Sequence, residues 1–216
     1  GTIQTFSSIR INYYINPYNG NYYTTIVKED SSSTVTMNGQ SIVNSVVLAC
    51  FDGTGQFLWK RENAIATPNV FKFYGIDFDA ENNIYIAGLI APMNFDSFIG
   101  FSNPNPTNSA FVMKTNPTAD TALWASNHNS SGATTYAALL YNGSEVAFTN
   151  HCFGTSFTWG SQTLNVSSSS NQGTEVLLAR FDSATGDCLS LNKIPGDIGY
   201  DDNGTALAVD ASGDYL

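Results

Sequence analysis

The chain has 216 residues and a formal charge of −10, with eight Lys and Arg against eighteen Asp and Glu. A surface of that sign repels phosphate backbones and anionic lipid headgroups, which argues against nucleic-acid binding and acidic membranes, and no apolar run reaches the length of a membrane span. Hydrophobic residues make up 42% and aromatics 13%, ample for a core, but charged residues are only 12%, so Asn, Ser, Thr and Gly must cover the surface, a composition associated with secreted and cell-surface β proteins.

In chain order, Asn16-Pro17-Tyr18-Asn19-Gly20-Asn21-Tyr22-Tyr23 reads as a turn leading into a strand. Val46 to Phe51, a Gly-containing turn, and Phe57-Leu58-Trp59 then read as a hairpin. The first pattern returns at Gly75 to Gly88, around Asp79-Ala80-Glu81-Asn82-Asn83, and the second at Ala110 to Trp124. Leu140 to Phe148 is a shortened first phrase, Val176 to Ser190 is a third copy of the second, and Ala206 to Leu216 opens the first phrase again. Trp59, Trp124 and Ser190 fall 65 and 66 residues apart, and Asn16, Asp79 and Asp210 keep the same beat at 63 and 131.

Each phrase joins two apolar runs through an Asp/Asn/Gly/Ser cluster suited to positive φ and side-chain-to-backbone turns. Two hairpins per period give four strands, the size of a propeller blade. Runs such as Val46 to Phe51 and Val176 to Phe181 are almost continuously apolar, which suits strands covered on both faces. No segment has helical periodicity. The expected fold is therefore all-β: tandem four-stranded antiparallel blades, β-propeller-like, with a period of about 65 residues. Residues 1–216 form a single repeat array, with units at about 9–73, 74–135 and 136–204 and a partial unit at 205–216. Three blades are too few to close a propeller. Either the other blades belong to a longer polypeptide, or the strand at 205–216 pairs with another copy of the chain, giving a head-to-tail ring or filament.

The phrases resemble those of the SBBP-type beta-propeller repeat proteins, large secreted or surface proteins of bacteria. The resemblance rests on Val209-Asp210-Ala211-Ser212-Gly213-Asp214-Tyr215, on Ile84-Tyr85-Ile86-Ala87-Gly88, on Phe153-Gly154 through Trp159-Gly160, and on the closing phrase from Phe111 to Trp124. It covers nearly the whole chain. It departs at Ser190, where the phrase expects Trp, and at Cys50 and Arg180, which stand in the Lys114 column. The resemblance implies a β-propeller and surface display, and it brings no catalytic residues. Phe181 to Gly186 is also similar to quinoprotein propeller repeats, which bears on fold alone.

The sequence offers few chemical constellations. Asp197, Asp201 and Asp202, with Asn203, form an oxygen-rich stretch that is the candidate calcium site; its spacing is not that of an EF-hand loop. No other cofactor is implied. Asp52, Asn116 and Asp182 occupy equivalent positions and read as turn-forming side chains. The two histidines, His128 and His151, lack metal-ligand spacing, and neither a nucleophile elbow nor a glycine-rich phosphate loop occurs. The reading is thus of a non-enzyme. Cys50, Cys152 and Cys188 are expected as free thiols, because the strands carrying the last two are not neighbours in a meander.

Trp59 and Trp124 share a repeat position and read as packing residues. Trp159, Tyr22 and Tyr23 break the repeat and are the candidate ligand or partner residues. Sequons stand at Asn129, Asn142, Asn165 and Asn203. The functional expectation is an extracellular or cell-surface structural or adhesive module, presenting loops such as 89–109 and 153–173 to a glycan or a surface protein. A carbohydrate-binding module, or a propeller-fold hydrolase or lyase, are the alternatives.

Overall fold

The computed structural model describes residues 9–28, 35–37, 39–43, 46–63, 72–90, 93–94, 102–103, 109–128, 138–152, 154–168, 173–194 and 200–216. These contain strands and turns and no helix. Three four-stranded antiparallel sheets follow one another along the chain. Sheet 1 has the order β1 (Ile9–Ile15), β2 (Tyr22–Lys28), β5 (Val46–Phe51), β6 (Phe57–Asn63). Sheet 2 is β7 (Lys72–Phe78), β8 (Ile84–Ile90), β11 (Ser109–Thr115), β12 (Ala122–Asn127). Sheet 3 is β13 (Ala138–Tyr141), β14 (Glu145–Cys152), β17 (Gly173–Asp182), β18 (Cys188–Ile194).

Each sheet carries a further strand pair between its second and third strands: β3 (Val35–Met37) with β4 (Gln40–Ile42), β9 (Met93–Asn94) with β10 (Ser102–Asn103), and β15 (Gly154–Trp159) with β16 (Gln162–Ser168). The stretch 153–173, expected as a presented loop, is thus largely a hairpin with buried Phe157, Trp159 and Val166. Most of 89–109 lies outside the described residues. A last strand, β19 (Tyr200–Asp201), pairs in parallel with the start of β17.

The turns form where a side chain can replace a backbone partner. Asp52 Oδ1 accepts from the backbone N–H of Thr54 and Gln56, Asn116 Oδ1 from Asp120, and Asp182 Oδ1 from Ala184 and Thr185. The first hairpins are keyed the same way by Asn16, Asp79, Asn142 and Asp210. These are Asx-type turns, in which the side-chain oxygen accepts from backbone amides two to four residues further on.

Register shifts recur at one place in all three sheets, between Cys50 and Phe51, Lys114 and Thr115, and Arg180 and Phe181. The partner strand accommodates each with one extra residue, Leu58, Leu123 or Leu189, and each of these leucines is exposed. A bulge of this kind re-aims the side chain it releases.

The sheets stack face to face in a row and do not close into a ring among the described residues. One face of sheet 1 (Tyr23, Val46, Leu48, Cys50) packs on Ile76, Phe78, Ile84, Ile86, Phe111 and Met113 of sheet 2. The other face of sheet 2 (Tyr85, Ala87, Ala110, Val112) packs on Val146, Phe148, Leu177, Ala179 and Phe181 of sheet 3. Alternation along each strand sends successive side chains to opposite faces, and in sheet 2 both faces are seams, which is why Ala110 to Met113 of β11 are apolar without a break. Trp59 packs at the first seam and Trp124 at the second.

Candidate interaction surface

At the turn end of the second seam, a buried ionic and aromatic cluster joins sheets 2 and 3. Asp79, almost fully buried, holds Lys114 Nζ at 2.9 Å and accepts from Asn83 through its backbone N–H (2.8 Å) and side-chain amide (2.9 Å). Burial alone would raise the Asp79 pKa, but the Asn83 donors and the Lys114 cation outweigh it and hold the carboxyl below its ordinary range. Lys114 Nζ lies 4.9 Å from the Tyr85 ring centroid, and Tyr141 of sheet 3 stacks on Tyr85 at 4.8 Å. Tyr85 is pushed far up in pKa by burial, with the Asp79 charge adding to it. Trp124 Nε1 donates to the carbonyl of Ser183, tying the same two sheets together.

The next position repeats this chemistry. Arg180 stands in the Lys114 column and pairs with Glu145 through two nitrogens, at 2.7 and 2.6 Å. Tyr215 of the C-terminal segment supplies the aromatic: its centroid is 5.8 Å from the Arg180 guanidinium carbon, and its hydroxyl donates to Glu145. The sequence showed the cation column but not its acid or aromatic partners, which come from other strands.

Sheet 1 differs from the other two in what it leaves open. Ile11, Tyr13 and Ile15 alternate along β1 and are 45%, 73% and 61% exposed; Tyr22, paired with Ile15, is 41% exposed. Counted from the turn Asx, the counterparts of Tyr13, Ile15 and Tyr22 in sheet 2 are Ile76, Phe78 and Ile84, at 7%, 2% and 0%. In sheet 3 they are Leu139, Tyr141 and Val146, all packed against sheet 2. The columns that pack at both seams are therefore apolar and exposed on sheet 1. Part of that face is covered from within: Ile42 of the β3–β4 hairpin packs on Ile26, Val47 and Ala49, and the buried Lys28 donates to the carbonyls of Ile42 and Val43.

Of the residues singled out in the sequence, Tyr22 lies on this open surface. Trp159 and Tyr23 do not, and their reading as rings offered to a ligand is corrected here. Trp159 is fully buried among Phe148, Phe157, Phe181 and His128, with Nε1 donating to Ser126 Oγ at 2.8 Å. The β15–β16 hairpin uses it to lace sheet 3 to sheet 2. Tyr23 packs edge-on to Trp59 and at 4.6 Å from Phe78 inside the first seam.

Asp197 and Asn129 lie outside the described residues. Asp201 ends β19, and Asp202 exchanges hydrogen bonds with Thr174 through its backbone N–H and carbonyl. Among the described residues, no three His, Cys, Asp or Glu side chains are grouped to hold a metal ion. Asn142, Asn165 and Asn203 are exposed; Asn142 is committed to its turn and donates to Tyr215, while Asn203 Oδ1 lies 2.7 Å from His151 Nδ1. Cys50, Cys152 and Cys188 are buried and unbridged, and burial pushes their thiols up to about 11, 12 and 11. Comparison with protein-family models and with curated proteins returns no match for this chain.

Proposed function

We propose that this chain is a structural, adhesive module of propeller-like blades, extracellular or surface-displayed, that works by stacking blade on blade with further units of its own kind. The observation that supports this is the exposure on sheet 1 of Tyr13, Ile15 and Tyr22, whose counterparts in sheets 2 and 3 fill the seams. These side chains are 73%, 61% and 41% exposed, so docking another blade gains on the order of 1 kcal/mol per residue from removing the rest from water. Stacked blades act as a rigid support, and the bulges that turn Leu58, Leu123 and Leu189 outward place the same side chain at the same point of every unit.

Sedimentation equilibrium of the chain and of a Tyr13→Ser/Ile15→Ser variant tests this reading. The wild-type chain self-associates with rising concentration, and the variant, with an unchanged circular dichroism spectrum, stays monomeric. A wild-type chain that is monomeric up to its solubility limit contradicts it.

A further inference from the structure

We infer that the outer rim of the stacked sheets, formed by β6, β12, β18 and the turns that lead into them, is a docking surface for a basic amphipathic helix of another protein. The inference rests on the reading of the chain as an adhesive module and names the chemistry of its partner, but it uses this rim and not the open face of sheet 1.

Apart from the two outer faces of the row, few large apolar side chains stay exposed among the described residues, and three of them are one position repeated. Leu58, Leu123 and Leu189 are 47%, 52% and 43% exposed, each released by the bulge at the start of the last strand of its sheet. A lone exposed leucine is ordinary, whereas one held outward by the same bulge in every sheet forms a row.

Acidic turns stand between these leucines. The turn of sheet 2 docks on the last strand of sheet 1: Ala119 is buried in one cluster with Trp59, and Asp120 meets Arg61 at 3.4 Å. The turn of sheet 3 docks on the last strand of sheet 2 in the same way. There Ser183 accepts from Trp124 Nε1 at 3.0 Å, and Gly186 presses on the ring so closely that a Cβ would lie 2.5 Å from Trp124 Cε3. Trp59 and Trp124 directly follow their leucines in sequence, so Leu58, the 116–120 turn, Leu123, the 182–187 turn and Leu189 succeed one another along the rim. Hydrogen bonds within the turns hold Asp52, Asp120 and Asp182 below their ordinary pKa, so all three are charged at neutral pH, and Asp187 is exposed beside them. Among the described residues Arg61 pairs with Asp120, and no cation pairs with Asp52, Asp182 or Asp187.

A row of alternating apolar and anionic positions is matched by a partner with apolar and cationic ones in the same order. Acidic membranes and nucleic acids are repelled, and a second copy of this chain would bring like charge to like. The spacing selects the conformation of the partner. Sheets packed face to face lie about 10 Å apart, and seven residues of α-helix rise about 10.5 Å. A helix with an apolar side chain at every seventh position, and Lys or Arg between them on the same face, therefore meets a leucine and a carboxylate in each unit.

The test is a fluorescent helical peptide of about 18 residues, with Leu at every seventh position, Lys three and four residues after each, and Ala elsewhere, titrated into the 216-residue chain and followed by anisotropy. Saturable one-to-one binding is expected, with shifts of the labelled methyl groups of Leu58, Leu123 and Leu189. A peptide of the same composition, with its lysines moved to the face opposite its leucines, binds at least tenfold more weakly. Leu58→Ser/Leu123→Ser/Leu189→Ser in the chain weakens binding at least tenfold. Asp187→Asn weakens it severalfold, while Glu81→Gln, which removes an exposed carboxylate from the turn between β7 and β8, changes it less than twofold. No saturable binding overturns the inference. So does equal binding of the two peptides, which would show attraction by charge alone, or binding that leaves the three leucine methyls unmoved. The methyl shifts are read on the wild-type chain, so they decide the matter whether or not the serine variant folds. Self-association without peptide binding refutes this inference alone, and peptide binding by a chain that remains monomeric refutes the assembly reading alone.

Discussion

Gly75→Ala is the substitution whose sign depends most cleanly on how closely sheets 2 and 3 approach. Gly75 lies in β7 with no positive φ, so alanine suits its backbone, and in open space the change would stabilise by about 0.4–1 kcal/mol through the unfolded chain. A Cβ there, however, would stand 2.7 Å from Leu139 Cβ and 2.9 Å from Leu139 N, on β13 of the next sheet. Neither atom is the free end of a flexible side chain, so the strands must separate. Overpacking of this kind costs about 1–3 kcal/mol, which outweighs the gain. The net loss is about 1–2 kcal/mol, or a fall in Tm of about 2–8 °C for a chain of this size. Urea unfolding followed by both tryptophan fluorescence and circular dichroism measures it and checks that the transition remains single. An unchanged or raised midpoint would refute the close contact between β7 and β13, and with it the stacking of sheet 2 on sheet 3.

Trp159→Ala removes a ring enclosed on all sides and should cost about 3–5 kcal/mol; in a Trp59→Phe/Trp124→Phe background, Trp159 emission is blue-shifted and shielded from acrylamide, and ready quenching would contradict its burial. The carboxyls of Asp52, Asp120, Asp182 and Asp210 are held below their ordinary pKa of 3.8 by hydrogen bonds within their turns, and that of Asp79, against its burial, by Asn83 and Lys114. Groups with a depressed folded pKa contribute stability above their unfolded value that is lost as pH falls through the folded one, so the urea midpoint drops below about pH 4. Asp77 acts oppositely: burial raises its pKa despite the Tyr141 and Phe78 amides it accepts, so it favours the folded state at low pH and Asp77→Asn steepens the acid loss. A midpoint that is flat across this range in the wild type contradicts the turn geometry. The three thiols, raised by burial, stay unreactive to a disulfide reagent at about pH 8 until the chain unfolds; labelling of any of them in the native state contradicts its place in the seams.

What was legible in the sequence is what local chemistry determines. Asn16, Asp52, Asp79, Asn116, Asn142, Asp182 and Asp210 each satisfy amides within a few residues, so their spacing marks the hairpins of the three four-stranded sheets and the last turn before any tertiary contact exists. The unbroken apolar run of Val46 to Cys50 likewise announces two covered faces, with Val46, Leu48 and Cys50 at the seam and Val47 and Ala49 beneath the β3–β4 hairpin.

What was not legible depends on parity and on distant partners. Tyr22 and Tyr23 are adjacent, and only the register with Ile15 and Tyr14 decides that the first faces water and the second the core. Leu58, Leu123 and Leu189 sit beside packing positions but are turned outward by a bulge that alternation does not foresee. Trp159 lies off the repeat, and its burial needs the β15–β16 hairpin to fold back against His128 and Ser126, about thirty residues earlier in the chain.

The most direct test of the account is whether equivalent columns of successive sheets meet face to face. Nuclear Overhauser contacts measured on selectively labelled aromatic rings report this without perturbing the chain. The account predicts cross-peaks between Tyr23 and Phe78, whose rings lie 4.6 Å apart at the first seam, and between Tyr85 and Tyr141, 4.8 Å apart at the second. A folded chain with neither cross-peak would mean that the three sheets form without stacking in this order.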